Sequence, residues 1–391
     1  MLRKGIFWIH LICGVVAGLV ILMMSVTGVL LTYERQILAW DEQRQYSWQP
    51  EEGEQALTLD QLLQTAVDSG FQPDSITVAA AADAPLILRQ GRSDSRYMNP
   101  YTGEFHVDGD EGLDNFFHAV VRWHRWFNAG DEHRGLARAI TGACNLAFLF
   151  LVLSGIYLWL PAIYRWSTFR LRLWFHPNAK SGKARDFNWH HVFGFWFALP
   201  LVVVIATATV FNYSWANGLV YKLAGEEVPQ RGRGGPRVGG ERGGEQAPQV
   251  TPGISLQGAF EQVAAASEGW RTLTLRIPKG GASEVQVQVD RGTGGQPQLR
   301  SSVTIDGASG AVIEQEGFAD QSRGRQYRSW VRFLHTGEAL GFWGQTLAGL
   351  ASLAGVLMVW TGLALSLYRF RAWRKRRNKA RAAQNPVSNP A

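Results

Sequence analysis

Cysteine is nearly absent from this chain: its 391 residues contain only Cys13 and Cys144. Both fall inside apolar runs, which excludes a disulfide framework in the polar segments. Acidic residues are missing from the same runs. Four stretches, roughly 5–33, 137–161, 190–213 and 342–368, hold no Asp or Glu. Each is long enough to cross a hydrocarbon core, which takes about 20 residues. The motifs His-Glu-x-x-His, Cys-x-x-Cys and Gly-x-Ser-x-Gly are lacking too, so a zinc protease, a thiol relay and an α/β hydrolase have no support. No Gly-x-Gly-x-x-Gly opens a strand–helix unit.

What is plentiful is positive charge, 39 Lys and Arg against 32 Asp and Glu, and it is unevenly placed. Arg165, Arg170, Arg172, Lys180, Lys183 and Arg185 face a single acid, Asp186, between the second and third runs. Eight basic residues and no acid follow the fourth run between Arg369 and Arg381. Arg3 and Lys4 precede the first. The positive-inside rule then places both termini and the short middle loop in the cytoplasm. The long segments 34–136 and 214–341 face outside. The net charge of +7 is thus a topology signal, and no nucleic-acid partner is expected. The first run is too long for a signal-peptide core and reads as a retained anchor.

The chain repeats itself, each half running membrane helix, outer domain, membrane helix. In the first outer domain Thr58 caps a predicted helix, strands follow at Ser75–Val78 and Leu86–Arg89, and Asn99-Pro-Tyr-Thr-Gly103 makes a turn. In the second, Ser255 caps a helix, strands follow at Thr272–Ile277 and Val285–Val289, and Asp306-Gly-Ala-Ser-Gly310 takes the turn position. Thr27-Gly28, Ser154-Gly155 and Thr361-Gly362 recur late in three spans. Small residues permit close helix contact, and the hydroxyl bonds back to its own helix. Residues 225–253 are rich in Gly, Arg, Pro and Glu and predict a mobile outer loop.

Histidine carries the chemistry. His10 and His190 each precede a glycine by four residues, Gly14 and Gly194, so imidazole and glycine share a helix face. Such a face suits a flat macrocycle. His124 and His335 stand before the other two spans, in Arg122-Trp-His-Arg-Trp126 and Arg332-Phe-Leu-His-Thr-Gly337. The four split into one pair per membrane face, the pattern of axial ligands for haem b. Arg122, Arg125 and Arg332, and Lys4 and Arg185, are candidate propionate partners. His191 lies about 100° around the helix from His190 and lacks the glycine; it is the weaker alternative ligand there. His118 is an alternative outer ligand. His106, His133 and His176 sit in polar loops and read as solvated.

These features, together with Trp189-His190, Trp123-His124-Arg125 and the two turns, resemble the PepSY-associated transmembrane family over residues 1–375. Members are bacterial inner-membrane proteins linked to iron uptake, including ferric-siderophore reductases. The resemblance implies an integral membrane protein with four transmembrane α-helices in two tandem halves and two α+β PepSY-like periplasmic domains. Its parts would be a helix over 1–36, a periplasmic domain over 37–112, and an interfacial helix with the second span over 113–164. A basic loop over 165–188 and a third span over 189–215 follow. The second periplasmic domain covers 216–322, with its flexible insert at 225–253. An interfacial helix and fourth span over 323–370 lead to a basic tail, 371–391. His191 departs from the arginine expected after the ligand.

The expected activity is haem oxidoreduction. Two haem b groups, at His10/His190 and His124/His335, would carry electrons from a quinol or cytoplasmic reductase to a ferric siderophore in the periplasm, within membrane lipid. The rival reading is a haem-free membrane-anchored regulator whose PepSY modules bind a protease or envelope partner. A siderophore-binding accessory without redox activity is a third.

Overall fold

The computed structural model describes residues 1–47, 53–91, 94–106, 112–161, 164–229, 255–278 and 284–384. The expected flexible insert at 225–253 lies, beyond residue 229, outside the described residues. Two compact units emerge. A helical unit comprises Met1–Tyr33, Phe116–Asn217 and Leu334–Ala391; a sheet unit comprises Glu34–Asn115 and Gly218–Phe333.

In chain order the helices are α1 (Leu2–Leu30), α2 (Glu34–Tyr46), α3 (Leu59–Asp68), α4 (Gly112–Trp126), α5 (Arg134–Trp159) and α6 (Trp166–Leu173). Then come α7 (Gly182–Trp196), α8 (Ala198–Asn212), α9 (Ser214–Leu223), α10 (Leu256–Ala266), α11 (Arg323–Thr336) and α12 (Gly341–Gln384). The strands are β1 (Ser75–Ala79), β2 (Leu86–Gln90), β3 (Asp94–Met98) and β4 (Phe105–His106). Their counterparts are β5 (Thr272–Arg276), β6 (Glu284–Asp290), β7 (Arg300–Asp306) and β8 (Val312–Gly317).

Helices covering Leu2–Tyr46, Arg134–Trp159 and Glu338–Arg381 are each long and apolar enough to cross a membrane. The run expected as a straight third span is instead a pair, α7 and α8, bent by 66° at Phe197. Pro200 explains the break: it has no N–H, and its ring would collide with the Trp196 carbonyl four residues back. α7 also starts inside the segment expected to be a loop, capped by the Ser181 hydroxyl on the Ala184 N–H at 3.2 Å. α12 continues as helix through most of the basic tail.

α1 packs on α5 and α12, while α7 and α8 pack on both α5 and α12. Small residues bring α1 and α12 close. A Cβ on Gly349 would lie 2.7 Å from Thr32, and one on Gly355 2.8 Å from the Ser25 hydroxyl. Gly337 is indispensable for a different reason. It has φ +77, and a Cβ there would meet the Gly344 carbonyl oxygen, so only glycine lets the chain leave α11 and turn into α12.

In the sheet unit the two modules form one continuous antiparallel sheet, ordered β4-β3-β2-β1-β5-β6-β7-β8. Each module has the expected helix and strands, but the pair does not make two separate sheets. β1 joins β5 through five residue pairs centred on Thr77↔Thr274, whose hydroxyls bond at 2.9 Å. α3 and α10 lie against one face and share a single core, including Leu62, Leu63, Ile76, Leu88, Val263, Leu273, Leu275 and Val287. Alternation along β6 delivers Val285, Val287 and Val289 to that core and Gln286 and Gln288 away from it.

Both predicted caps are present: Thr58 makes a capping box with Gln61, and Ser255 accepts from the Gly258 N–H at 3.0 Å. The helices also cap each other. Asp60 accepts from the Leu256 and Gln257 N–H groups at 3.0 and 3.1 Å, and the Gln257 side chain accepts from the Leu59 N–H at 3.0 Å. Both predicted turns form, with Asn99 and Asp306 each accepting two backbone N–H groups two and three residues on. The Ser309 and Ala308 N–H groups hold the Asp306 carboxyl below its usual range.

Ile76 is fully buried at the β1–β5 seam. Ile76→Ala should destabilise the sheet unit by about 2–5 kcal/mol. Hydrogen exchange on the full-length protein should then show protection falling together in β1–β2 and β5–β6. A loss confined to the first repeat would contradict the shared core.

Candidate functional site

Four hydroxyls hold four imidazoles. His10 Nδ1 on α1 meets Ser154 Oγ on α5 at 2.8 Å. His124 Nδ1 on α4 meets Thr27 Oγ1 on α1 at 2.8 Å. His190 Nδ1 on α7 meets Thr361 Oγ1 on α12 at 3.0 Å. His335 Nδ1 on α11 meets Thr207 Oγ1 on α8 at 3.2 Å.

The direction of these bonds follows from proton counting. Each hydroxyl has one proton, and each donates it to the carbonyl four residues back: Thr27 to Met23 at 2.7 Å, Ser154 to Phe150 at 2.6 Å, Thr207 to Val203 at 2.7 Å and Thr361 to Leu357 at 2.7 Å. The oxygen is left as an acceptor, so the imidazole donates from Nδ1. A carbonyl, which can only accept, gives the same answer. His335 Nδ1 also reaches the Val204 oxygen at 3.0 Å. With the proton on Nδ1, the Nε2 lone pair of each ring is available to a metal.

Glycine follows three of the hydroxyls, and it faces the ring. A Cβ on Gly155 would lie 3.5 Å from His10 Cε1, one on Gly362 3.4 Å from His190 Cε1, and one on Gly28 3.7 Å from His124 Cε1. Ala208 occupies the fourth position. Gly14 and Gly194, one turn beyond their histidines, pack instead toward Leu151 and Met358 on the neighbouring helices. They let α1 approach α5, and α7 approach α12, at the level of the hydroxyls.

The arrangement obeys the repeat. Seventeen positions separate His10 from Thr27, and again His190 from Thr207. Every histidine is held by a hydroxyl from its own half of the chain. One histidine pair meets across the halves: the rings of His124 and His335 have centroids 6.4 Å apart. His124 and His335 are the residues that would hold a haem iron at this level. Along the unbroken α1, His10 and Thr27 stand about 25 Å apart.

His191 is built differently from His190. Its Nδ1 bonds the Phe187 carbonyl of its own helix at 2.8 Å, and its ring lies 4.1 Å from the Phe187 ring. His118 is exposed on α4. His106 sits on β4 with its ring 5.4 Å from Tyr46, His133 precedes α5, and His176 lines a cavity beside α7. Among the described residues no three His, Cys, Asp or Glu are grouped to hold a bare metal ion. Of the candidate cations, Arg185 pairs with Asp186 at 2.9 Å and Arg122 binds the Asn128 side chain at 2.8 Å. Arg3 and Arg172 instead bind the last carbonyls of α5, Leu158 to Leu160.

Sequence reasoning noticed Thr27, Ser154 and Thr361 as packing residues and did not connect them to the histidines. Thr207 escaped notice because alanine follows it. The shared seventeen-residue interval was the available signal.

The model of the PepSY-associated TM region matches residues 7–369. The chain belongs to that family. The match takes in all four histidines and all four hydroxyls, so the site lies wholly within the family's region. No curated protein matches the chain.

Among the described residues His10 meets Ser154 with no carbonyl partner beside it, whereas His335 also reaches the Val204 carbonyl. Ser154→Ala should therefore cost about 1–3 kcal/mol, more than Thr207→Val, which leaves His335 its Val204 acceptor. Thermal unfolding of the detergent-solubilised protein, followed by tryptophan fluorescence, checks the order. Equal losses would contradict the assigned bonds.

Proposed function

We propose that this protein holds two haem b groups, one between His10 and His190 and one between His124 and His335, and carries electrons across a bacterial inner membrane to reduce a ferric siderophore in the periplasm. The observation that carries the reading is the set of four imidazoles, each with Nδ1 occupied by a partner hydroxyl and Nε2 left over. A metal-binding histidine needs such a second partner to fix its tautomer and raise its basicity. The roughly 25 Å between the two levels along α1 also suits a path through a hydrocarbon core about 30 Å thick.

Bound haem would supply one-electron iron chemistry. The protein's part is to orient ligands, exclude water and set potential. Thr27, Ser154, Thr207 and Thr361 hold the four rings against rotation. Gly28, Gly155 and Gly362 leave the ring edges uncrowded, and apolar helix faces keep water away. In this reading the basic loop and both termini are cytoplasmic, a quinol or cytoplasmic reductase delivers electrons at His10/His190, and the sheet unit is periplasmic and receives the ferric chelate. Reduction of Fe³⁺ weakens its hold by hard oxygen ligands, which frees the metal.

The test is a reduced-minus-oxidised spectrum with a haem-to-protein ratio on detergent-purified protein expressed with ample haem. Two low-spin b-type haems per chain are expected, and a colourless protein would sink the proposal. His10→Ala and His124→Ala should each remove about half of the haem, whereas His191→Ala should retain both.

A second measurement reads the hydroxyls. Thr361→Val removes an acceptor from His190 and lowers the ligand's basicity, so one midpoint potential should rise while the other stays. Thr361→Ser should restore it. An unchanged potential in Thr361→Val would show that this hydroxyl does not tune the ligand.

A further inference from the structure

We propose that the cavity beside α7 binds the phosphate headgroup of an anionic phospholipid. The inference goes beyond electron transfer and rests only on the membrane orientation in that reading. The cavity has a volume of about 570 Å³ and is lined by Phe175, His176, Lys180, Arg185, Trp189 and Phe193, among others. One wall is apolar: Phe175 packs on Trp189 and Phe193 with ring centroids 6.4 and 5.2 Å apart, and Trp189 lies 6.3 Å from Phe193. The other wall is cationic. Lys180 is exposed at the rim. Arg185 stands over the Trp189 ring at 5.4 Å, with Nε and Nη2 on buried Asp186 at 3.0 and 2.9 Å.

The surroundings identify the ligand's source. Trp174, Phe175 and Trp196 are 57%, 52% and 52% exposed, which is the character of rings at a membrane–water boundary. The Trp196 indole N–H bonds the Leu173 carbonyl at 2.8 Å and so pins this aromatic surface to the loop. Asp186 is the single acid between 165 and 188 and is engaged by Arg185, so the charges of Lys180 and Lys183 stand unbalanced. A basic excess on this side of the spans faces the leaflet that carries anionic lipid. Free phosphate would satisfy the cations and leave the rings in water. A phospholipid covers both, headgroup on Lys180 and Arg185 and acyl chains on Phe175 and the exposed tryptophans.

Native mass spectrometry of the full-length protein, equilibrated with equal amounts of phosphatidylglycerol and phosphatidylcholine in detergent, tests this. Wild type should retain phosphatidylglycerol preferentially. Lys180→Glu should reduce retention of the first phosphatidylglycerol by about fivefold or more. Lys379→Glu, the same charge change on the exposed end of α12, should leave it unaltered, and inorganic phosphate in millimolar excess should not displace the lipid. Far-UV circular dichroism verifies that each variant is folded. Equal retention of the two lipids overturns the proposal, as does an equal loss in Lys379→Glu. Displacement by inorganic phosphate would assign the cavity to the free ion instead. The readout is independent of haem content, so its failure leaves the redox reading standing.

Discussion

The bond from an imidazole Nδ1–H to a hydroxyl on another helix is the constraint on which the helical unit depends. An imidazole among apolar side chains loses several kcal/mol of hydration unless its polar atoms are met. A serine or threonine is well suited as the partner, because it donates to its own helix and accepts from the neighbour at once. Four such bonds tie α1 to α5, α4 to α1, α7 to α12 and α11 to α8. Other features serve them: glycine beside three rings, close small-residue packing, and the sharp exit from α11 at Gly337, two residues after His335.

Both units use the repeat, and each couples the halves differently. In the helical unit each half orients its own histidines, and His124 meets His335 only when the halves come together. In the sheet unit the halves join through β1 and β5 and through helices whose N-termini are capped by each other's side chains. Neither half is complete alone. A module of four short strands with one helix has an unpaired edge at β1 and too little core, and both defects vanish when the second module pairs with it.

Much of this was legible in the residues. The first, second and fourth apolar runs, the Thr58 and Ser255 caps and the turns at Asn99 and Asp306 depend on interactions within a few positions and appear where expected. The four histidines stood out because ionisable groups near apolar spans are costly. β3 and β7 were not foreseen, and for β3 the reason is that Asp94–Met98 is polar. The bend at Phe197 was readable from Pro200, but its apolar neighbours disguised it as an ordinary span.

The sequence alone determined the membrane character, the duplication, the local caps and turns, and which side chains are chemically able to ligate. These properties follow from composition and short-range spacing. Only the tertiary structure decided that Thr27, Ser154, Thr207 and Thr361 are histidine partners. It also decided that His190 shares the construction of the other three rings while His191 turns to its own helix, and that two modules make one sheet. Each of these rests on groups distant in the chain, His10 and Ser154 or Thr77 and Thr274, whose meeting is set by how helices and strands pack.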